Sequence, residues 1–177
     1  PIAGDTAELN NGTYSGSNVD FQPVLVGDVT VLNLTLKPST SATETSLILD
    51  GHALTVTGTL SNEGDIFVKG AEAIDIDTLD IDSGTFTYTG DNSGATVTIT
   101  SGARPGEFYN LVIQDANASD TFNLDEDLTV HGSLTLAATN AATADFSMNT
   151  VTLEGDFDLE AGTFTAPGSA ETFTVGG

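Results

Sequence analysis

The 177 residues carry 26 Asp and Glu against 3 Lys and Arg, a formal charge of −23, with neither Cys nor Trp. That balance excludes a phosphate-binding surface for nucleic acid, which needs basic side chains, and disfavours an anionic membrane surface. The missing Cys excludes a disulfide framework and a thiolate metal centre, while 38% hydrophobic residues suffice for a packed domain.

Residues 1–20 are polar and turn-rich (Asn10-Asn11-Gly12, Ser15-Gly16-Ser17-Asn18) and are expected to form an N-terminal cap or an inter-subunit connecting segment. The chain opens Pro1-Ile2-Ala3-Gly4 without Met, so prior removal of a leader is expected. Residues 21–177 read as one β-repeat domain. Leu32-Asn33-Leu34-Thr35-Leu36 alternates strictly, which places one row of side chains inward and the next outward. Short strands then recur about every 22 residues. Leu54-Thr55-Val56, Ile74-Asp75-Ile76 and Val97-Thr98-Ile99 form one series; Leu128-Thr129-Val130, Val151-Thr152-Leu153 and Phe173-Thr174-Val175 form another. A longer repeat overlies these, matching Leu34-Thr35-Leu36 to Leu134-Thr135-Leu136 at an offset of 100 residues and, at a shorter offset, Gly84-Thr85-Phe86-Thr87 to Gly162-Thr163-Phe164-Thr165. Between about Gly102 and Asp127 the phase is lost, and a long loop or irregular coil is expected. Ala137–Ala144, Ala-rich but broken by Thr and Asn, is expected to be a loop. No stretch carries a capped helical period. The second copy of the long repeat stops at Gly176-Gly177, where a further strand is due. The expectation is a piece of a longer protein, or another molecule covering that end.

The predicted fold is all-β, a β-solenoid of about 20–23-residue coils. About seven or eight coils at roughly 4.8 Å each give a stack on the order of 35–40 Å. An antiparallel β-sandwich or jelly roll is the alternative that regular short strands also allow.

Four groups of residues invite chemistry. Asp75, Asp77, Asp80 and Asp82 alternate with Ile and Leu, so their carboxylates crowd one outward face. Hard cations take several oxygens, and Ca²⁺ is the cation such a face suits; a merely solvated acidic face is the plainer reading. Asp125-Glu126-Asp127 is a second, shorter run of the same kind. His52 and His131 each adjoin Gly and are expected to be exposed turn residues, since no nucleophile motif accompanies them. Thr55/Thr57, Thr96/Thr98, Thr150/Thr152 and Thr172/Thr174 are expected to face solvent, in an array that Asp75 and Asp77 interrupt. No catalytic pair stands out among the 26 carboxylates, and the expectation is a protein that is not an enzyme.

Phe108-Tyr109-Asn110-Leu111-Val112-Ile113, Leu128 to Leu136, Val151 to Phe157 and Gly162-Thr163-Phe164-Thr165 together resemble the repeats of bacterial surface proteins of the β-solenoid, filamentous adhesin type. The resemblance spans roughly residues 30–177 and implies export and a structural, adhesive or assembly role. The expected function is an extracellular structural protein: a self-assembling subunit or repeat segment of a cell-surface filament, sheath or adhesin. Its expected partners are copies of itself or adjoining repeats of the same protein, with divalent cations bridging carboxylates. The alternative is a carbohydrate- or ice-binding solenoid module with glycans as partners. No apolar run approaches a membrane span, so direct membrane insertion is not expected.

Overall fold

The computed structural model describes residues 4–9, 22–37, 45–70, 72–91, 93–100, 106–115, 120–137 and 142–176. Among them are nineteen short strands and no helix. In chain order these are β1 (Thr6–Leu9), β2 (Val29–Val31), β3 (Asn33–Leu36), β4 (Ser46–Ile48), β5 (Leu54–Asn62), β6 (Asp65–Val68) and β7 (Ile74–Leu79). Then come β8 (Thr85–Tyr88), β9 (Thr96–Thr98), β10 (Glu107–Phe108), β11 (Asn110–Ile113), β12 (Thr121–Asn123) and β13 (Leu128–Val130). The last are β14 (Leu134–Ala137), β15 (Thr143–Asp145), β16 (Val151–Leu153), β17 (Phe157–Ala161), β18 (Thr163–Thr165) and β19 (Phe173–Val175).

Every ladder between these strands is parallel, which requires a crossover between partners and here gives a coil. The molecule is a β-solenoid with coils about 23 residues apart. Sheet I has the order β1-β3-β5-β2, with β7 also on β5. Sheet II is β17-β14-β11-β8-β6-β4, sheet III is β18-β15-β12-β9 and sheet IV is β10-β13-β16-β19. From β8 onward the chain visits sheets II, III and IV in strict rotation; β1, β2 and β3 all lie in sheet I, and from β3 to β8 the chain alternates between I and II. The six strands of sheet II count six turns, not the seven or eight expected.

Alternation is what loads the interior. In sheet II, Leu47, Ile66, Phe86, Leu111, Leu134 and Phe157 stack in one inward column, and Val68, Tyr88, Ile113 and Leu136 in the next. Sheet III contributes Val97, Phe122, Ala144 and Phe164. Nearly all of these are buried, and each fully buried Val, Leu, Ile or Phe stabilises by roughly 1.5–3 kcal/mol. Tyr88 is inside because its hydroxyl donates to the Ile99 carbonyl at 3.2 Å.

Several expectations change in place. The region from Gly102 to Asp127 is not irregular throughout: β11 and β12 lie in it and continue sheets II and III in register, and β10 opens sheet IV. Ala137 ends β14 and Thr143–Asp145 is β15, so the Ala-rich loop is shorter than its composition suggests. The long repeat matches look-alike strands on different faces, since β8 belongs to sheet II and β18 to sheet III. Of the proposed N-terminal segment, Thr6–Leu9 pairs with β3. Residues 1–3 and 10–20 lie outside the described residues, as do 101–105 and 138–141.

Candidate functional site

The four aspartates do not form one cage. Asp75 stands in register with Thr55 and Thr30, and Asp77 follows on the same face of β7; both are exposed. A register shift between Val56 and Thr59 breaks the ladder there, and Asp80 and Asp82 fall into the corner after β7. In that corner Asp80 accepts the Ser61 hydroxyl at 3.3 Å and the Asp82 amide at 3.2 Å, while Asp82 accepts the Ser83 hydroxyl at 3.1 Å. Among the described residues no three His, Cys, Asp or Glu side chains gather where one ion would sit. Asp125, Glu126 and Asp127 are exposed at a corner, with the Glu126 amide and carbonyl both bonded to the buried Thr100 hydroxyl.

The carboxylates that the fold uses most are ones the sequence disguises. Glu72 and Asp120 are buried, at 1% and 0% exposure. Glu72 accepts the amides of Gly51 and Lys69 at 3.0 and 2.9 Å. Asp120 accepts those of Gly94, Ala95 and Asp91 at 2.7, 3.1 and 3.1 Å. Each thus fastens a corner of one turn to the next, replacing water for backbone donors that would otherwise be buried unpaired. The nearby glycines Gly70, Gly90 and Gly94, all at positive φ, are the sequence signal that these corners are tight.

His131 is less exposed than its turn position predicts. Its Nδ1 lies 2.9 Å from Glu154 and its Nε2 4.0 Å from Glu107, so it bridges three successive turns. His52 sits at the other end of the stack, 3.7 Å from Asp28. Lys69 pairs with Asp50, and this contact holds the Asp50 carboxyl below its ordinary range and the Lys69 ammonium above its own.

The threonines are regrouped by the fold. Thr55/Thr57 belong to sheet I, Thr96/Thr98 to sheet III and the other two pairs lie at β16 and β19 of sheet IV, so the four pairs never form one array. Instead Thr96, Thr121, Thr143 and Thr163 stack one per turn on sheet III, beside Thr98, Asn123, Asp145 and Thr165. Thr129, Thr152 and Thr174 stack likewise on sheet IV, next to Glu107. These ladders were missed because their members are separated by whole turns in the chain.

The two ends of the stack are the most distinctive surfaces. At the C-terminal end β17, β18 and β19 each pair on one side only, with β14, β15 and β16. Inside that last turn Phe157, Phe164 and Phe173 pack ring to ring at centroid distances of 4.9, 5.3 and 5.6 Å. All three are partly exposed, and Leu159 and Val175 beside them are 48% and 49% exposed. At the N-terminal end β1 and β2 are one-sided, and β4 has only the single Val24 bridge on its outer side. Beneath them opens a cleft of about 130 Å³, lined entirely by apolar side chains including Leu9, Pro23, Leu25, Val29, Val31 and Leu47.

Comparison with protein-family profiles, with curated proteins and with solved structures gives no match.

Proposed function

We propose that this chain is an extracellular structural protein, a self-assembling subunit or repeat segment of a cell-surface filament, sheath or adhesin. The observation that carries this reading is the one-sided pairing of β17, β18 and β19 among the described residues, on a turn whose Phe157, Phe164 and Phe173 are partly exposed. Open parallel edges pair with further strands, and a solenoid is stable when its turns are stacked on others. The net charge of −23 opposes close approach of copies, so assembly is expected to strengthen with salt. The resemblance of Leu128 to Phe157 and its neighbours to bacterial surface repeats supports export, and the outward threonine ladders suit a solvated fibre wall.

The test is location and form together. Antibody raised against the chain, applied to intact producing cells, is expected to label surface fibres, and external protease to remove the label. Label confined to the interior of permeabilised cells would overturn the reading. The sheet III ladder from Thr96 to Thr163 favours a second reading, a flat hydroxyl face for glycan or ordered water. Binding to an insoluble polysaccharide, or arrest of ice growth, abolished by Thr121→Lys and Thr143→Lys, would favour it over the fibre.

A further inference from the structure

We propose that the stack is jointed in its middle: the turns up to β7 and the turns from β9 onward are two bodies, hinged on the β8–β11 ladder of sheet II. Sheet I ends at β7, sheets III and IV begin at β9 and β10, and sheet II alone has strands on both sides of this point. Among the described residues no ladder joins β7 to β9 or to β10. The break shows in burial. Val56 and Leu60 of β5 are 1% and 0% exposed, whereas their ladder partners Ile76 and Leu79 in β7 are only half-buried. Strands β8 to β19 follow β7, so this open side is internal to the stack. The next turn is also displaced: Val97 of β9 packs on Gly70, in the corner before β7, where there is no room for a Cβ. Later turns are joined to one another by three ladders, as β14–β17, β15–β18 and β16–β19 show. Here, among the described residues, one ladder does that work. Beside it lies side-chain packing, with Phe86 of β8 edge-on to Phe108 of β10 at 5.2 Å. Apolar packing is non-directional and accepts a change of angle that hydrogen-bonded strands do not. The stability of a stacked array is a sum of turn and interface contributions, so the interface with the fewest ladders yields first. Rotation about the β8–β11 ladder widens or narrows the β7 side and bends the rod there, as a hinge does.

The experiment measures distances between nitroxide labels on pairs of cysteines introduced into the Cys-free chain. Thr59→Cys with Thr152→Cys spans the joint away from sheet II, from β5 to β16. Phe67→Cys with Thr135→Cys spans it along sheet II, from β6 to β14. Thr129→Cys with Thr174→Cys lies wholly within sheet IV of the later turns. All six positions are exposed or half-buried, and circular dichroism checks that each labelled chain keeps the parent fold. The first pair is expected to give a distance distribution several-fold wider than the other two. A first pair as narrow as the others overturns the joint. A second or third pair as broad as the first also overturns it, because looseness would then run through the whole stack. Where labelling disturbs the fold, hydrogen exchange on the unmodified chain decides. Amides of β7 are expected to exchange several-fold faster than those of β5, at a rate that does not change with protein concentration. Amides of β7 as slow as those of β5, or slowed on concentration because another molecule covers them, overturn the proposal.

Discussion

The turn made by β14, β15 and β16 and the turn made by β17, β18 and β19 carry the same pattern in the same register, yet they are different objects. Leu136 is 1% exposed and Leu159, its partner in the ladder, is 48% exposed. Leu153 and Val175 repeat the contrast at 1% and 49%. Nothing in the local sequence separates these pairs; what differs is a neighbour on the far side. Burial in this fold is therefore a property of stacking, and the last turn holds three Phe rings packed on one another.

The largest effect should come from truncating the two leucines of one column. Leu136→Ala removes a side chain enclosed on all sides and should cost about 2–5 kcal/mol in denaturant unfolding. Leu159→Ala should cost less than about 1 kcal/mol, because the atoms lost are half in water already. Equal losses would mean that the end turn is covered after all. A smaller contrast is expected at the corners. A Cβ on Gly155 would lie 2.1 Å from the Gly132 carbonyl oxygen one turn below, so Gly155→Ala should destabilise by about 1–3 kcal/mol. In the last turn a Cβ on Gly168 meets the Ser147 carbonyl at 3.1 Å, a contact that a small shift relieves, and Gly168→Ala should stay below about 1 kcal/mol.

The smallest effect is electrostatic and lies toward the opposite end of the stack, where Asp50 and Lys69 tie neighbouring turns. The Asp50 carboxyl is held below its ordinary 3.8, so its contribution is present above that value and is lost as pH falls through the lower, folded value. The Lys69 ammonium is held above 10.5, so its share is present below that pH and is lost as pH rises through the higher, folded value. Lys69→Met should flatten both limbs of a melting-temperature profile and leave the midrange almost unchanged, since exposed pairs contribute little.

Much of the architecture was legible because one face repeats faithfully. Leu128, Val151 and Phe173 recur at nearly constant spacing and do stack in sheet IV. The parallel series was less secure: Leu54 and Ile74 are partners in sheet I, but Val97 lies in sheet III. A strand motif announces that a rung exists without saying which of three faces it occupies, because corner length varies from turn to turn. The threonine ladders were hidden for the same reason. Glu72 and Asp120 were hidden for another: a carboxylate that binds backbone amides has the same one-letter signature as one that binds water. The aspartates from Asp75 to Asp82 stood out by alternation, but a strand that ends at Leu79 cannot keep Asp80 and Asp82 on the face of Asp75.

The claim on which the rest depends is that strands paired on one side only, such as β17, β18 and β19, can take up a further strand. Amide hydrogen exchange read strand by strand, in dilute solution and again at high protein and salt concentration, tests it directly. The account predicts that amides of β17, β18 and β19 exchange quickly when dilute and become protected on concentration, while those of β11 and β14 hold the same slow rates throughout. Slow exchange in β17, β18 and β19 at every concentration would contradict it.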